Sequence, residues 1–211
     1  MAATVLLVRH AESAWNRAGI YQGQKDTPLS PLGERQASLI ASHLKSIPIS
    51  GVLSSPLRRA RAVASAVAAH HGLEPVLEPR LTEIAHGVWE GLSRHEVVER
   101  FPDDYHRWVR EPHAVTFPGG ESLSDVHRRA VPVIADVLAR AGTWVVVTHD
   151  TVARLAIAAA GGRPLHGFTD VSLENAAIST LVGPDLLGSV RHVNSTAHLA
   201  DARADLEGQA L

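Results

Sequence analysis

The residues of this sequence best suited to chemistry are two histidines and a few arginines that follow short apolar segments. His10 comes directly after Arg9 at the end of one such segment, and His149 follows another. Arg58 and Arg59 come soon after a third, shorter segment. In open α/β sheets, ligands bind beyond the carboxyl ends of the strands. If the apolar segments are strands of one sheet, these side chains are placed to meet at one site.

Such a set of side chains suits the transfer of a phosphoryl group. The group in transfer carries negative charge on its outer oxygens, and a planar guanidinium can bind two of those oxygens at once. A neutral imidazole can attack phosphorus, and its near-neutral pKa makes it both a nucleophile and an acceptable leaving group. An acid must protonate the departing alkoxide, and the same group can later act as a base toward water.

Each of these features also has an ordinary structural interpretation. The chain has 13 histidines, and the closely spaced Arg58, Arg59 and Arg61 are typical of a solvated helix face. Glu83 would by itself be interpreted as an exposed loop carboxylate. The functional hypothesis therefore depends on longer strings of residues around these positions.

Short apolar segments predict the strands of a sheet. Thr4 to Val8 and Thr143 to Val147 are continuously apolar and β-branched, as buried parallel strands are, and Gly51 to Leu53 is a shorter candidate. Ala176 to Val182 and Ser189 to Val193 predict two late strands joined by a turn.

Helical patterns lie between these strands. Ser30-Pro31 and Ser55-Pro56 each predict an N-cap followed by proline at the first helical position. A third helix is predicted from about Ser122, with Asp125 as its capping partner and a kink at Pro132. The alternation predicts an α/β fold, a three-layer sandwich with a central, mostly parallel sheet flanked by helices.

The chain of 211 residues is long enough for one well-buried domain, which we place at 1–211. The stretch 83–120 has no strong strand pattern and is rich in aromatic residues, which predicts a small helical insertion over the sheet, lid-like in position. Its aromatics are expected to pack the insertion onto the sheet; if they line the mouth of the site instead, the substrate carries an apolar or ring-shaped group. The segment 202–211 is predicted to be a loose tail.

The composition argues against several classes of binding partner and of chemistry. The net charge is −2, so no general basic field is available for nucleic acid or for an anionic membrane surface. The chain has no cysteine, which removes disulfides, thiolate metal sites and cysteine nucleophiles. Neither a secretory peptide nor a span of about 20 apolar residues is evident, so a cytoplasmic location is expected.

Ordered motifs along the chain resemble those of the histidine phosphatase superfamily, the phosphoglycerate mutase-like proteins. The similarity extends from about Thr4 to Leu199. It rests on these strings in chain order: Arg9-His10-Ala11-Glu12-Ser13-Ala14-Trp15-Asn16, Gln22-Gly23, Asp26-Thr27-Pro28-Leu29-Ser30, Gly33, Ser54-Ser55-Pro56-Leu57-Arg58-Arg59-Ala60, Leu81-Thr82-Glu83, Gly87-Val88-Trp89-Glu90-Gly91, Pro118-Gly119-Gly120-Glu121-Ser122 and Val147-Thr148-His149.

The resemblance implies a role for each matching position. His10 would be the nucleophile that becomes phosphorylated, and Glu83 would be the proton donor. Arg9, Arg59 and His149 would hold the phosphoryl oxygens. The resemblance also implies that Asn16 lies near the phosphate, that Gln22 and Gly23 line the entrance, and that neither a metal nor an organic cofactor is needed.

Two residues depart from the family pattern, which usually has glycine after each of the two histidines. Ala11 adds a methyl group, which the backbone tolerates at negative φ but which is expected to narrow the approach to the nucleophile. Asp150 places a carboxylate where a dianionic substrate binds. We expect Asp150 to be the N-cap of a helix, with the alternative that it is the proton donor, as in the acid phosphatase branch of the superfamily.

The compact motifs resemble those of the phosphatases rather than those of the longer mutases. The sequence therefore predicts a cofactor-independent enzyme that hydrolyses small phosphate monoesters through a phosphohistidine. Three alternatives stay open: a phosphoglycerate mutase-type transfer, a degenerate member that only binds a phosphorylated ligand, and an enzyme with diverted chemistry. The substrate is not determined by the sequence, and a homodimer is possible.

Overall fold

The computed structural model describes residues 3–200, 202, 203 and 209, and it is built around one six-stranded sheet. In chain order the strands are β1 (Thr4–Arg9), β2 (Gly51–Ser54), β3 (Val76–Leu77), β4 (Thr143–Thr148), β5 (Ile178–Val182) and β6 (Val190–Ser195). Their order across the sheet is β3-β2-β4-β1-β5-β6.

Seven α-helices and four short 3-10 segments surround this sheet in the described part of the chain. The α-helices are α1 (Ala14–Ala18), α2 (Pro31–Leu44), α3 (Arg58–Ala69), α4 (Arg94–Arg100), α5 (Pro102–Arg110), α6 (Leu123–Leu138) and α7 (Asp150–Ala160). The 3-10 segments are Pro79–Leu81, Gly87–Trp89, Pro112–Ala114 and Leu165–Asp170. No helix among the described residues is long and apolar enough to cross a membrane.

The sheet is mostly parallel, as predicted. β1 pairs in parallel with β4, β4 with β2, and β2 with β3. β5 pairs antiparallel with both β1 and β6, so it is the one strand of this sheet that runs the opposite way. Arg9 lies opposite Thr148 in the β1–β4 register, so His10 and His149 leave the sheet side by side.

The alternation of side chains along β1 divides the interior into two cores. Val5 and Leu7 pack into a core that includes residues of α6 and α7. Leu6 and Val8 point to the opposite face and pack into a core that includes residues of α2 and α3. Helices therefore cover both faces of the sheet, which confirms the predicted three-layer architecture.

The predicted helix starts are correct at two positions and wrong at one. Ser30 and Ser122 are N-caps whose side chains accept the backbone N–H groups of Gly33 and Asp125. Ser55 is not a cap, because α3 begins only at Arg58 and no side chain caps it.

α6 continues on both sides of Pro132, and the kink at this residue stays a prediction. Two other features of the chain differ from the sequence prediction. The edge strand β3 was not predicted, because it has only two residues and both are exposed. Much of the predicted loose tail lies outside the described residues, but Ala202 and Gln209, which are described, are buried.

The segment 83–120 is helical, as predicted, and carries α4, α5 and two of the 3-10 segments. Trp89 and Phe117 are completely or almost completely buried in the core shared with α6 and α7. Most of the large aromatics therefore pack the insertion onto the sheet.

Gly33 allows α2 to approach the loop that follows His10. A Cβ at this position would lie 1.9 Å from the carbonyl oxygen of Glu12. We expect Gly33→Ala to lower the free energy of unfolding by about 1–3 kcal/mol, because backbone atoms must move to admit the methyl group. Denaturant unfolding checks this, with the exposed Ser38→Ala on the same helix as control, and equal stability of the two variants would contradict it.

Candidate active site

One small pocket at the carboxyl ends of the strands collects most of the predicted site residues. It is lined by Arg9, His10, Asn16, Gln22, Gly23, Arg59, Glu83, His86, Asp150 and Thr151. His149 is fully buried beside this pocket, and its ring centroid is 5.0 Å from that of His10. The structure thus brings together residues that are up to about 140 positions apart in the sequence.

The backbone fixes the orientation and the tautomer of His10. Its Nδ1 lies 2.7 Å from the carbonyl oxygen of Ala11, and since a carbonyl can only accept, Nδ1 carries the proton. The lone pair is then on Nε2. Burial and the nearby guanidinium groups of Arg59 and Arg9 hold the pKa of His10 well below its ordinary value. The imidazole is therefore neutral near pH 7, which a nucleophile requires.

His149 is held by Ser55, a residue that the sequence predicts as a helix N-cap. Its Nε2 lies 2.7 Å from the Ser55 hydroxyl, and its Nδ1 is buried without a hydrogen-bond partner among the described residues. Burial, followed by the charge of Arg59, keeps the pKa of His149 well below the ordinary value. The ring can therefore offer a neutral N–H to an oxyanion at this position.

The two arginines of the pocket are fixed by backbone carbonyl groups. Arg59 donates to the carbonyl oxygens of Lys25 (2.8 Å) and Gly23 (2.9 Å), and Arg9 donates to that of Leu173 (2.5 Å). The Nε of each arginine is buried and has no partner among the described residues, so a donor remains for an anion. Burial lowers the pKa of Arg59 to about 10, which leaves it charged at neutral pH.

The neighbouring Arg58 does not belong to the pocket. Its side chain is exposed, and its backbone N–H donates to Asp26. Of the two arginines that open this helix, the motif selects Arg59, and the structure places Arg59 in the pocket.

Glu83 is buried and has the properties of a proton donor. Its Oε1 accepts the backbone N–H groups of Ile84 (2.9 Å) and Thr151 (3.3 Å). Burial, and then the negative charge of Asp150, raise the pKa of Glu83 above its ordinary value. A raised pKa keeps the carboxyl group protonated to higher pH, which suits a general acid.

Two acidic residues from the glycine-containing motifs, Glu90 and Glu121, hold the segment that carries Glu83. Glu121 accepts the backbone N–H of Ala85 and pairs with Arg129 at 2.7 Å. Arg129 in turn donates to the carbonyl oxygen of Glu83 at 3.0 Å. Glu90 accepts the N–H groups of Gln24 and His86, so it ties the pocket entrance to the same segment.

The remaining predicted pocket residues also lie in the pocket lining. Asn16 belongs to the capping box of α1 with Ser13, and Gln22 accepts from the Ser13 hydroxyl at 2.6 Å. Gly23 has φ 49°, and a Cβ there would lie 2.0 Å from a carboxylate oxygen of Glu90. Glycine at this position therefore permits the close approach of the entrance loop to the acid segment.

The two departures from the family pattern have different consequences. Ala11 does not line the pocket; it has negative φ, is fully buried, and packs into the core shared with α2 and α3. The expected narrowing of the approach to His10 is therefore not observed. The prediction that Asp150 caps a helix is wrong, because the N-cap of α7 is His149 and Asp150 is the first helical residue.

Asp150 instead links two arginines. Its Oδ1 lies 3.2 Å from Arg9, and its Oδ2 lies 3.1 Å from Arg154 one turn along α7. Both carboxylate oxygens thus serve as acceptors in ion pairs, and Asp150 offsets part of the positive charge of Arg9 and Arg154.

Several pocket residues were not predicted. His86 and Thr151 lie close in sequence to Glu83 and Asp150, and that proximity is the signal that sequence reasoning had available. Burial lowers the pKa of His86 to about 3, so this ring is neutral. Asn175 and Gln209 are not part of the pocket lining, and no sequence signal connected them with Arg9. Gln209 accepts from Arg9 at 3.2 Å and donates to Asn175 at 2.8 Å. In the described part of the chain, no group of three or more histidines and carboxylates is arranged to hold a metal ion.

The sequence is similar to a known protein family and to characterised relatives. The family model of the histidine phosphatase superfamily (branch 1) matches residues 5–196. Phosphoserine phosphatase 1 of Hydrogenobacter thermophilus is 39% identical over 199 residues, which cover 93% of this chain and 94% of that protein.

Solved structures with the same fold include two phosphatases. The mycobacterial glucosyl-3-phosphoglycerate phosphatase superimposes with a TM-score of 0.82 at 29% identity, covering 93% of this chain and 100% of that one. A putative α-ribazole-5′-phosphate phosphatase from Escherichia coli superimposes with a TM-score of 0.84 at 26% identity, covering 92% and 97% of the two chains.

Proposed function

The chain belongs to the histidine phosphatase superfamily, and from this premise we propose that it hydrolyses small phosphate monoesters through a phosphohistidine on His10. Phosphatase activity agrees with the names of its relatives. The observation that carries the proposed mechanism is the neutral, Nδ1-protonated His10 beside two buried arginines and a buried carboxyl group of raised pKa.

In the first step the Nε2 lone pair of His10 attacks phosphorus. The bond between phosphorus and the ester oxygen breaks, and its electron pair stays on the departing oxygen. Glu83 donates its proton to that oxygen, so the alcohol leaves neutral. Arg9, Arg59 and His149 offer N–H donors to the outer oxygens of the phosphoryl group, where negative charge is greatest.

In the second step water replaces the alcohol. Glu83, now a carboxylate, removes a proton from water as the oxygen attacks phosphorus. The phosphorus–nitrogen bond breaks, its electron pair returns to Nε2 of His10, and inorganic phosphate leaves. Both half-reactions use the same residues, and Glu83 begins the first as a carboxyl group and the second as a carboxylate. No metal or organic cofactor enters either step as proposed.

Among the predicted alternatives, the phosphatase reaction is the one that the relatives support best. The three relatives described above are named for phosphoserine, glucosyl-3-phosphoglycerate and α-ribazole phosphate, all small phosphate esters. We propose the same class of partner, a small phosphorylated molecule, rather than nucleic acid or a membrane surface, since the net charge of −2 favours neither. A homodimer stays a prediction.

A panel of phosphate monoesters tests the proposed function. Purified protein is incubated with metal chelator, and inorganic phosphate is measured for phosphoserine, 3-phosphoglycerate, sugar phosphates, nucleotides and p-nitrophenyl phosphate. We expect release from at least one natural ester that is unaffected by chelator. Release that chelator abolishes, or no release from any ester, would contradict the proposal.

A further inference from the structure

Glu83 lies on an irregular segment of the chain whose backbone carbonyl groups are bound by side chains. No strand or helix of the described chain includes Glu83. The four consecutive carbonyl oxygens of residues 80–83 all accept side-chain hydrogen bonds, and the donors are Arg129, Thr148 and Gln24. The position of Glu83 therefore depends on these side chains, because no regular backbone hydrogen bonding fixes it.

Arg129 of α6 makes most of these contacts. Its Nη1 donates to the carbonyl oxygens of Arg80 (2.7 Å) and Thr82 (2.8 Å), and its Nη2 donates to that of Glu83 (3.0 Å). Its Nε and Nη2 also donate to the two carboxylate oxygens of Glu121, at 2.7 Å and 2.8 Å. A guanidinium has five N–H donors, and these contacts engage all of them in the planar geometry that distinguishes arginine from lysine.

Glu121 fixes both the guanidinium group and the far end of the same segment. Its Oε2 also accepts the backbone N–H of Ala85 at 2.9 Å. The side chains of Arg129 and Glu121 are only 19% and 21% exposed, and charge-assisted hydrogen bonds are stronger away from open solvent. The pair thus holds the backbone on both sides of Glu83.

We propose that Arg129 is a positioning residue for the proton donor, one that holds residues 80–85 so that the carboxyl group of Glu83 lies beside the oxygen of the leaving alcohol. The inference rests on the proposed function, in which Glu83 protonates that oxygen. Arg129 is not one of the described residues that line the catalytic pocket, so it acts through the backbone of Glu83 and not on the substrate.

Arg129 also acts on the pocket through its charge, and a test must separate the two effects. It is one of the positive charges that lower the pKa of His149. Arg129→Gln removes the charge and the backbone contacts together. Arg129→Lys keeps the charge but offers at most three donors from a single nitrogen atom, so this variant tests positioning alone.

Single-turnover cleavage of two kinds of ester tests the proposal. In Arg129→Lys we expect phosphoenzyme formation from an alkyl phosphate to slow by about 10–10²-fold, because a displaced catalytic group transfers its proton poorly. The burst of nitrophenolate from p-nitrophenyl phosphate should keep its wild-type rate, since this leaving group needs no proton. The burst amplitude counts the folded active sites, so a loss of folded protein lowers the amplitude and leaves the rates of the two esters comparable.

Three further variants separate positioning from other effects. Arg128→Lys changes the neighbouring exposed arginine, which pairs with Asp125, and should leave both rates unchanged. Glu121→Gln removes the charge that holds the guanidinium group and should slow the alkyl ester selectively, as Arg129→Lys does. In a Glu83→Gln background, Arg129→Lys should cost the alkyl ester nothing more, because the effects of residues that act through one another are not additive.

An unchanged alkyl rate in Arg129→Lys, equal slowing of the two esters, or additive losses in the double variant would overturn the proposal while leaving the phosphatase function intact. Failure of the proposed function has a different signature, because the wild type would then form no phosphoenzyme from either ester.

Discussion

His10→Ala is expected to reduce kcat by at least about 10⁴-fold for every ester, the scale on which the loss of a covalent nucleophile acts in other enzymes. In the proposed mechanism the neutral imidazole of His10 forms the bond to phosphorus, while Arg9, Arg59 and His149 bind the phosphoryl oxygens and Glu83 moves the proton. Rapid-quench experiments with ³²P-labelled substrate should show an acid-labile phosphoenzyme in the wild type and none in the variant.

The matched control is His127→Ala, which removes an exposed histidine from α6 and should leave both turnover and phosphoenzyme unchanged. Inorganic phosphate should still bind to His10→Ala, because Arg9 and Arg59 are intact. If His10→Ala retains a phosphoenzyme, the nucleophile is another residue and the proposed mechanism is wrong.

Glu83→Gln is expected to slow phosphoenzyme formation from alkyl phosphates by roughly 10²–10⁴-fold, the usual contribution of a general acid. An alkoxide is a poor leaving group and needs the proton, whereas p-nitrophenolate leaves readily without one. The burst of nitrophenolate from p-nitrophenyl phosphate should therefore be nearly unaffected. Equal slowing of the two ester types in single turnover would show that Glu83 is not the donor.

The pH dependence of the same step distinguishes Glu83 from Asp150. Single-turnover cleavage of an alkyl ester needs protonated Glu83, so its rate should fall as pH rises through the raised pKa of this group. The groups that act on Glu83 are the charges of Asp150 and Arg59 and the N–H groups of Ile84 and Thr151.

Asp150→Asn removes the negative charge that helps to raise this pKa. The fall of the single-turnover rate at high pH should therefore begin at a lower pH, while the rate on the low-pH plateau stays high. If Asp150 is itself the donor, Asp150→Asn should instead slow alkyl ester cleavage as Glu83→Gln does. The rate of this variant should then no longer fall with rising pH. The two variants measured side by side thus decide between the predicted donor and its alternative.

Much of the fold was predictable because the relevant signals are local. A buried strand such as β1 is a continuous apolar run, and the caps Ser30 and Ser122 act within three residues of themselves. The mostly parallel sheet then follows from alternation of strands and helices. Ser55 shows where local reasoning fails, since Ser-Pro suggests a cap but the hydroxyl bonds to His149, 94 residues away.

The sequence by itself determined the order of the motifs, and the resemblance of those motifs to the histidine phosphatase superfamily indicated His10, Arg59 and Glu83. Only the tertiary structure decided the partners of those residues. Arg9 bonds to Leu173 and Gln209 across 164 and 200 residues, and Asp150 joins Arg9 to Arg154. Such contacts depend on how the layers of the fold pack against one another.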